Sequence, residues 1–192
     1  MVDMLAKFIK ISSNILEFRR ILCYNGDGVT TMSRVDKHNY YLDIAQAACA
    51  RSTCLRRKFG AIIVTNDEII SSGYNGAPRG RKNCIDLGTC VREKLNIPRG
   101  TRYEICRSVH AEANCIISAK RGDMLGGTMY LAGVNAQNGE IVNDANSCAM
   151  CKRLLINAGL NRIIVRTSPD KYSIYTIEDF IQNEEMLSLE GY

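Results

Sequence analysis

Apolar positions recur at helical spacing near the start of the chain, where Leu5, Phe8, Ile9, Ile15, Leu16, Phe18, Ile21 and Leu22 follow one pattern until YNGDGVTT breaks it. Met32 then offers a second beginning, so residues 1–31 are expected to be an appendage and 32–192 the domain. From Asn39, YYLDIAQAACA places Leu42, Ala45 and Cys49 on one helical face. GAIIVT and EIISSGYN are short β-rich runs on either side of Asn66-Asp67, a hairpin signal. A long polar, arginine-rich segment, 76–107, follows. Helical spacing returns from about His110 to Lys120, with Gly122 expected to close the helix.

TMYLA reads as a strand, 133–147 as a polar loop rich in Asn and Gly, and CAMCKRLLINAGL as a helix with Gly159 as its C-cap. NRIIVR is a further strand, KYSIYT a candidate last one, and 177–187 an acidic terminal helix. This α-β-β-α-β-α-β-(β)-α order predicts a three-layer α/β/α domain. The chain has 192 residues, which suits one domain of this kind, and no internal repeat interrupts the order.

Composition narrows the class. Apolar residues make up 46% and charged residues 23%, as in soluble globular proteins. Lys7, Lys10, Glu17 and Arg19 break the N-terminal apolar runs, so neither a signal peptide nor a membrane span is expected; Asp3 and Glu17 also speak against a mitochondrial presequence. The net charge is +5, with basic residues gathered in Arg51–Lys58 and Arg79–Arg107, which suits an anionic ligand without arguing for nucleic acid. Nine cysteines, an odd number, do not make a paired disulfide framework. Reduced thiols imply a cytoplasmic protein and point to metal ligands, reactive groups or core packing.

His110 is one of two histidines, and Glu112 follows it in SVHAEANCII. Alone, His-x-Glu is most often a helix start with a structural histidine, and a lone Cys-x-x-Cys can be redox-active or half of a structural zinc site. Here Cys148 and Cys151 in SCAMC also open a helix after a loop, as His110 does. Both motifs can therefore meet at one end of a sheet. Three N/S ligands with a fourth position open is the arrangement of a catalytic zinc. Glu112 would stand beside that position as the proton carrier. His-x-Glu with a distant Cys-x-x-Cys is the signature of zinc nucleobase deaminases.

On these motifs, together with ARSTCLRRKFGAIIV, GYNGAPRG, TMYLA and RIIV, the chain resembles the cytidine/deoxycytidylate deaminase superfamily between about Asn39 and Tyr175. GYNGAPRG narrows the resemblance to the deoxycytidylate (dCMP) branch. The resemblance implies a mixed five-stranded sheet flanked by helices and a homo-oligomer. It also implies hydrolytic conversion of dCMP to dUMP and ammonia for pyrimidine nucleotide supply, with dCTP and dTTP as candidate regulators. His110, Cys148 and Cys151 would hold zinc, and Glu112 would carry protons to ring N3 and to the departing amine. Asn75, the backbone N–H of Ala111, and Tyr172 would contact the nucleotide, and Arg56, Arg57, Arg79 and Arg107 are candidates for its 5′-phosphate. Two features depart from the superfamily pattern: Ser147 stands where proline is usual, and the loop 133–147 is longer than is common.

Of the remaining cysteines, Cys23 belongs to the appendage, and Cys49 and Cys115 lie in apolar helical runs and are expected in the core. Cys54, Cys84, Cys90 and Cys106 are in loops or at element ends, the right number for a second, closed zinc that would staple the polar segment. Such an arrangement resembles that of some bacterial and phage dCMP deaminases. Two alternatives remain at this point: deamination of another base, such as adenosine in tRNA or a free purine, and a non-enzymatic zinc-binding interaction module.

Overall fold

The computed structural model describes residues 34–182. The expectations for the appendage 1–31, for Cys23 and for residues 183–187 of the terminal helix lie outside those residues. Helix α1 (Lys37–Ala48) starts at Asp36, whose carboxylate accepts from Asn39 N at 3.0 Å. That backbone hydrogen bond, the largest influence on it, lowers the Asp36 pKa. The helix tightens into a 3-10 turn, Cys49–Arg51, before the first strand.

Strands β1 (Arg57–Thr65) and β2 (Glu68–Tyr74) form the predicted hairpin. Asn66 and Asp67, at φ 52° and 67°, supply the two left-handed residues of a tight primed turn. The polar segment carries two short helices, α2 (Cys84–Leu87) and α3 (Val91–Lys94), and a 3-10 turn, Tyr103–Ile105. Its ends are pinned together, because Gly76 N donates to Val109 O at 3.2 Å and Val109 N donates to Gly76 O at 2.8 Å.

Helix α4 (Ala111–Ile117) is shorter than the expected His110–Lys120. The Ser118 hydroxyl bonds back to Asn114 O at 2.8 Å as the helix ends, and Lys120 is already extended. A separate short helix, α5 (Arg121–Met124), follows, so Gly122 lies inside it and caps nothing.

Strand β3 (Thr128–Asn135) reaches into what was expected as loop, and Val134 forms a bridge with Ile141 beyond the turn. Helix α6 (Ala149–Ala158) ends as predicted at Gly159, whose φ of 77° suits glycine. Strands β4 (Arg162–Ser168) and β5 (Lys171–Thr176) and helix α7 (Ile177–Gln182) complete the described chain.

Among the described residues the sheet has five strands in the order β2-β1-β3-β4-β5. Only β3 and β4 run parallel, joined through α6; the other pairs are antiparallel. The sheet is therefore mixed and covered on both faces, as expected of an α/β/α domain. Alternation along the strands divides the core. Ile62, Val64, Tyr130, Ala132 and Ile164 pack with Tyr41, Leu42 and Ala45 of α1. Ala61, Ile63, Met129, Leu131, Ile163 and Val165 pack with Ala111 and Cys115 of α4 and Leu155 and Ala158 of α6. Two glycines set the helix distances: a Cβ on Gly60 would lie 2.1 Å from Ala45 O, and one on Gly73 would lie 2.5 Å from Ala111 O. Cys49 and Cys115 are buried, one on each face, as expected. No helix among the described residues is long and apolar enough to cross a membrane.

Candidate metal and catalytic site

His110 is the N-cap of α4 and Cys148 the N-cap of α6, both in extended backbone, with Cys151 in the first turn of α6. Because α4 and α6 lie side by side on one face of the sheet, their starts converge. His110 Nδ1 is 3.5 Å from the Sγ of Cys148 and 3.5 Å from that of Cys151. Among the described residues this is the one group of three His, Cys, Asp or Glu whose ligand atoms all lie within 4.8 Å of one another. One imidazole and two thiols at that spacing fit zinc, and the set leaves a tetrahedral position open.

The electrostatics match a shared-proton cluster. Hydrogen bonding from Cys151 brings the Cys148 thiol down to about 4, against the opposing effect of burial. Cys151, the donor of that bond and itself buried, is pushed up. Burial pulls His110 down, but bonds to the Cys106 and Cys148 sulfurs raise it to about 11. The three groups thus compete for the same protons, and a metal cation would displace them.

Glu112 is 5% exposed, and burial raises its pKa although the His110 charge partly opposes this. Its Oε1 accepts a hydrogen bond from Ser147 Oγ at 3.0 Å. Beside the cluster opens a pocket whose lining includes His110, Ala111, Glu112 and Cys148, with Asn75, Arg56, Arg57, Phe59, Leu131 and Asn146.

The structure does not bring all the expected residues together. Asn75 lines the pocket, but its Oδ1 accepts from Ser52 Oγ and Phe59 N, and its Nδ2 donates to Arg57 O at 2.9 Å. It fixes the entry to β1 with most of its hydrogen-bonding capacity. Tyr172 lies elsewhere: its ring stands edge-on to His38, 5.2 Å between centroids, and packs against the α1 side of the sheet. Strand alternation turns it to the face opposite the cluster. Arg79 and Arg107 are absent from the lining; Arg107 Nε donates instead to Lys82 O at 2.6 Å. Arg56 lines the pocket and pairs with Glu93 at 3.2 Å.

The four cysteines expected to hold a second zinc lie near one another. Cys54, Cys106 and Cys90 act on Cys84, whose pKa is raised first by burial, so the four are neighbours. Among the described residues, however, no three of them meet the spacing that the His110 cluster meets. Cys106 is drawn to His110: burial raises its pKa, but the hydrogen bond to that imidazole helps to bring it down overall.

Three contributors were not foreseen. Arg92 is 3% exposed and donates to Arg102 O at 2.6 Å and Pro98 O at 2.8 Å. Its guanidinium lies 4.5 Å over the Tyr103 ring, which in turn meets the His110 ring edge-on at 5.1 Å. Arg99 lines the pocket and forms an ion pair with Asp144, joining the polar segment to the loop before Ser147. Tyr103 carried a signal, as the one aromatic residue within 76–107. The two arginines did not, since a buried arginine in a basic run reads like a solvated one.

Comparison with known families bears on this geometry. The model for the cytidine and deoxycytidylate deaminase zinc-binding region matches residues 35–167, most of the chain. The chain belongs to that family. A deoxycytidylate deaminase of Mycobacterium phage D29 is 35% identical over 138 residues, covering 69% of this chain and 96% of the phage protein. The Schizosaccharomyces pombe deoxycytidylate deaminase is 29% identical over 130 residues, 68% of this chain but 37% of the yeast protein. This deaminase-family chain thus matches nearly all of the phage relative and well under half of the yeast one. Among solved structures, a cyanophage S-TIM5 dCMP deaminase in complex with dCMP and dUMP is 22% identical, with a TM-score of 0.49, covering 82% of this chain and 96% of that one.

Proposed function

We infer that the protein is a zinc-dependent hydrolase that converts dCMP to dUMP and ammonia. The observation that carries this is the meeting of His110, Cys148 and Cys151 at the starts of α4 and α6, with buried Glu112 in the first turn of α4 and lining the pocket, inside a deaminase-family region. His110, Cys148 and Cys151 would hold zinc, which would supply a Lewis acid that brings the pKa of a water towards ~7. Glu112 would take a proton from the attacking water and deliver it to N3 of cytosine as the C4–O bond forms. It then moves a second proton to the C4 amine, which leaves as ammonia. Burial suits Glu112 to this task, since a raised pKa favours a carboxyl group that both accepts and returns protons. The first-turn N–H of Ala111 has no partner within its helix and can hold the pyrimidine carbonyl.

Arg57 and Arg99 are the best-placed donors for the 5′-phosphate. Both line the pocket, and Arg57 has no ion pair among the described residues. Burial and then the Arg57 charge lower the Arg99 pKa, and Asp144 already offsets one of the two charges, so Arg57 is the one left for an anion. The same reading takes 32–192 as the catalytic unit, supported by the family match to 35–167. It includes a cytoplasmic homo-oligomer and regulation by dCTP and dTTP, supported by the family resemblance and, for regulation, by GYNGAPRG.

The test is an ultraviolet deamination assay on dCMP, CMP and deoxycytidine, with Arg57→Ala beside the wild type. We expect dCMP to be the best substrate and its KM to rise about tenfold in the variant, the loss of one charge-assisted bond. Deoxycytidine turning over as well as dCMP contradicts the phosphate assignment; turnover of none contradicts the deaminase.

A further inference from the structure

We propose that Ser147 is a positioning residue for Glu112, holding its carboxyl group in the one orientation from which it can exchange protons with substrate. This rests on the deamination reading above. Ser147 is 4% exposed, and its hydroxyl donates to Glu112 Oε1 at 3.0 Å. A glutamate reaches its carboxyl group through three rotatable bonds, and its last torsion is broad. A buried carboxyl group therefore gains from a fixed donor that selects one orientation. Ser147 is such a donor for a reason of chain geometry. It immediately precedes Cys148, the N-cap of α6, so the backbone that presents one sulfur of the cluster also sets the hydroxyl. Its side chain has a single χ1 torsion, and its burial leaves little room to turn. Proton carrier and sulfur ligand are thereby referenced to adjacent residues, although Glu112 belongs to another helix. Proline at this position has no side-chain donor, so the contact belongs to the serine.

The experiment compares zinc-loaded wild type with Ser147→Ala and Ser147→Thr. Zinc per chain, kcat and KM for dCMP are measured, and the alanine variant is crystallised. We expect kcat to fall roughly tenfold or more in Ser147→Ala, the effect of losing a hydrogen bond to a charged group. KM and zinc content should stay at the wild-type values, and threonine, which keeps the hydroxyl, should restore most of the rate. In the crystal the Glu112 carboxyl group should leave its wild-type place or occupy more than one. An unchanged kcat overturns the proposal, and so does a fall that follows zinc loss, which would make Ser147 a support of the metal loop. Glu112 in one unaltered conformer overturns it on structure alone, independently of turnover. A wild type inactive on every cytosine nucleotide refutes the deamination reading instead, leaving the crystal to decide the role of Ser147.

Discussion

On one face of the sheet, α1 covers Ile62, Tyr130 and Ile164; on the other, α4 and α6 cover Ile63, Leu131 and Val165. Each face uses a glycine to admit a helix, Gly60 beneath α1 and Gly73 beneath α4. The helix starts differ. Asp36 caps α1 with its own side chain, whereas His110 and Cys148, the N-caps of α4 and α6, make no side-chain capping bond. An N-cap bond stabilises a helix by about 1 kcal/mol. The catalytic face forgoes that stabilisation twice, because its cap side chains turn towards each other. Equal packing thus supports unequal tasks, and the division lies in the first residue of each helix.

If the faces are divided in this way, changes on them should separate activity from stability. The largest effect is expected for Glu112→Gln, which keeps the shape of the side chain but cannot carry a proton. Its kcat should fall by at least ~10²-fold with zinc content and melting temperature nearly unchanged; a variant that keeps its rate removes Glu112 from the mechanism. On the opposite face, Leu42 is fully buried. Leu42→Ala should cost about 2–5 kcal/mol in denaturant unfolding while kcat per folded molecule stays put. A matching loss of kcat would mean that the two faces are not separable.

The smallest expected effect is common to both faces. Burial raises the Cys49 thiol from 9.0 to about 12 and the Cys115 thiol from 9.0 to about 11. The unfolded chain releases these protons first, so their stabilisation is intact below pH 9.0 and is lost as pH rises towards 11 and 12. Unfolding free energy should decline above pH 9 by up to roughly 1.4 kcal/mol per pH unit for each thiol. Cys115→Ala should flatten the slope; an unaltered slope would show that other groups set the alkaline limit.

The strands and the larger helices were legible in sequence because their apolar periods are local, and Asn66-Asp67 and Gly159 mark their ends chemically. The cluster was legible for a similar reason: His110, Cys148 and Cys151 each sit at a recognisable loop-to-helix boundary. What escaped depends on distance in the chain. Tyr172 lies on a strand whose facing is set by pairing with β4, not by its own short pattern. Arg92 and Arg99 take their roles from carbonyls and an aspartate that only the folded polar segment supplies. Four loop cysteines could be counted in the sequence, but that they are neighbours is visible only in the fold. Ser147 was visible as a departure from the superfamily pattern, while its bond to Glu112 spans two helix starts that no local rule connects.

The pairing of Gly76 with Val109 has a consequence for how the chain can vary. It turns residues 77–108 into a closed loop whose anchor points do not depend on what lies between. Each doubling of such a loop costs only about 0.6 kcal/mol in closure entropy. Insertions and deletions within the segment can therefore accumulate while His110, one residue beyond the anchor, stays in register with the cysteines across from it.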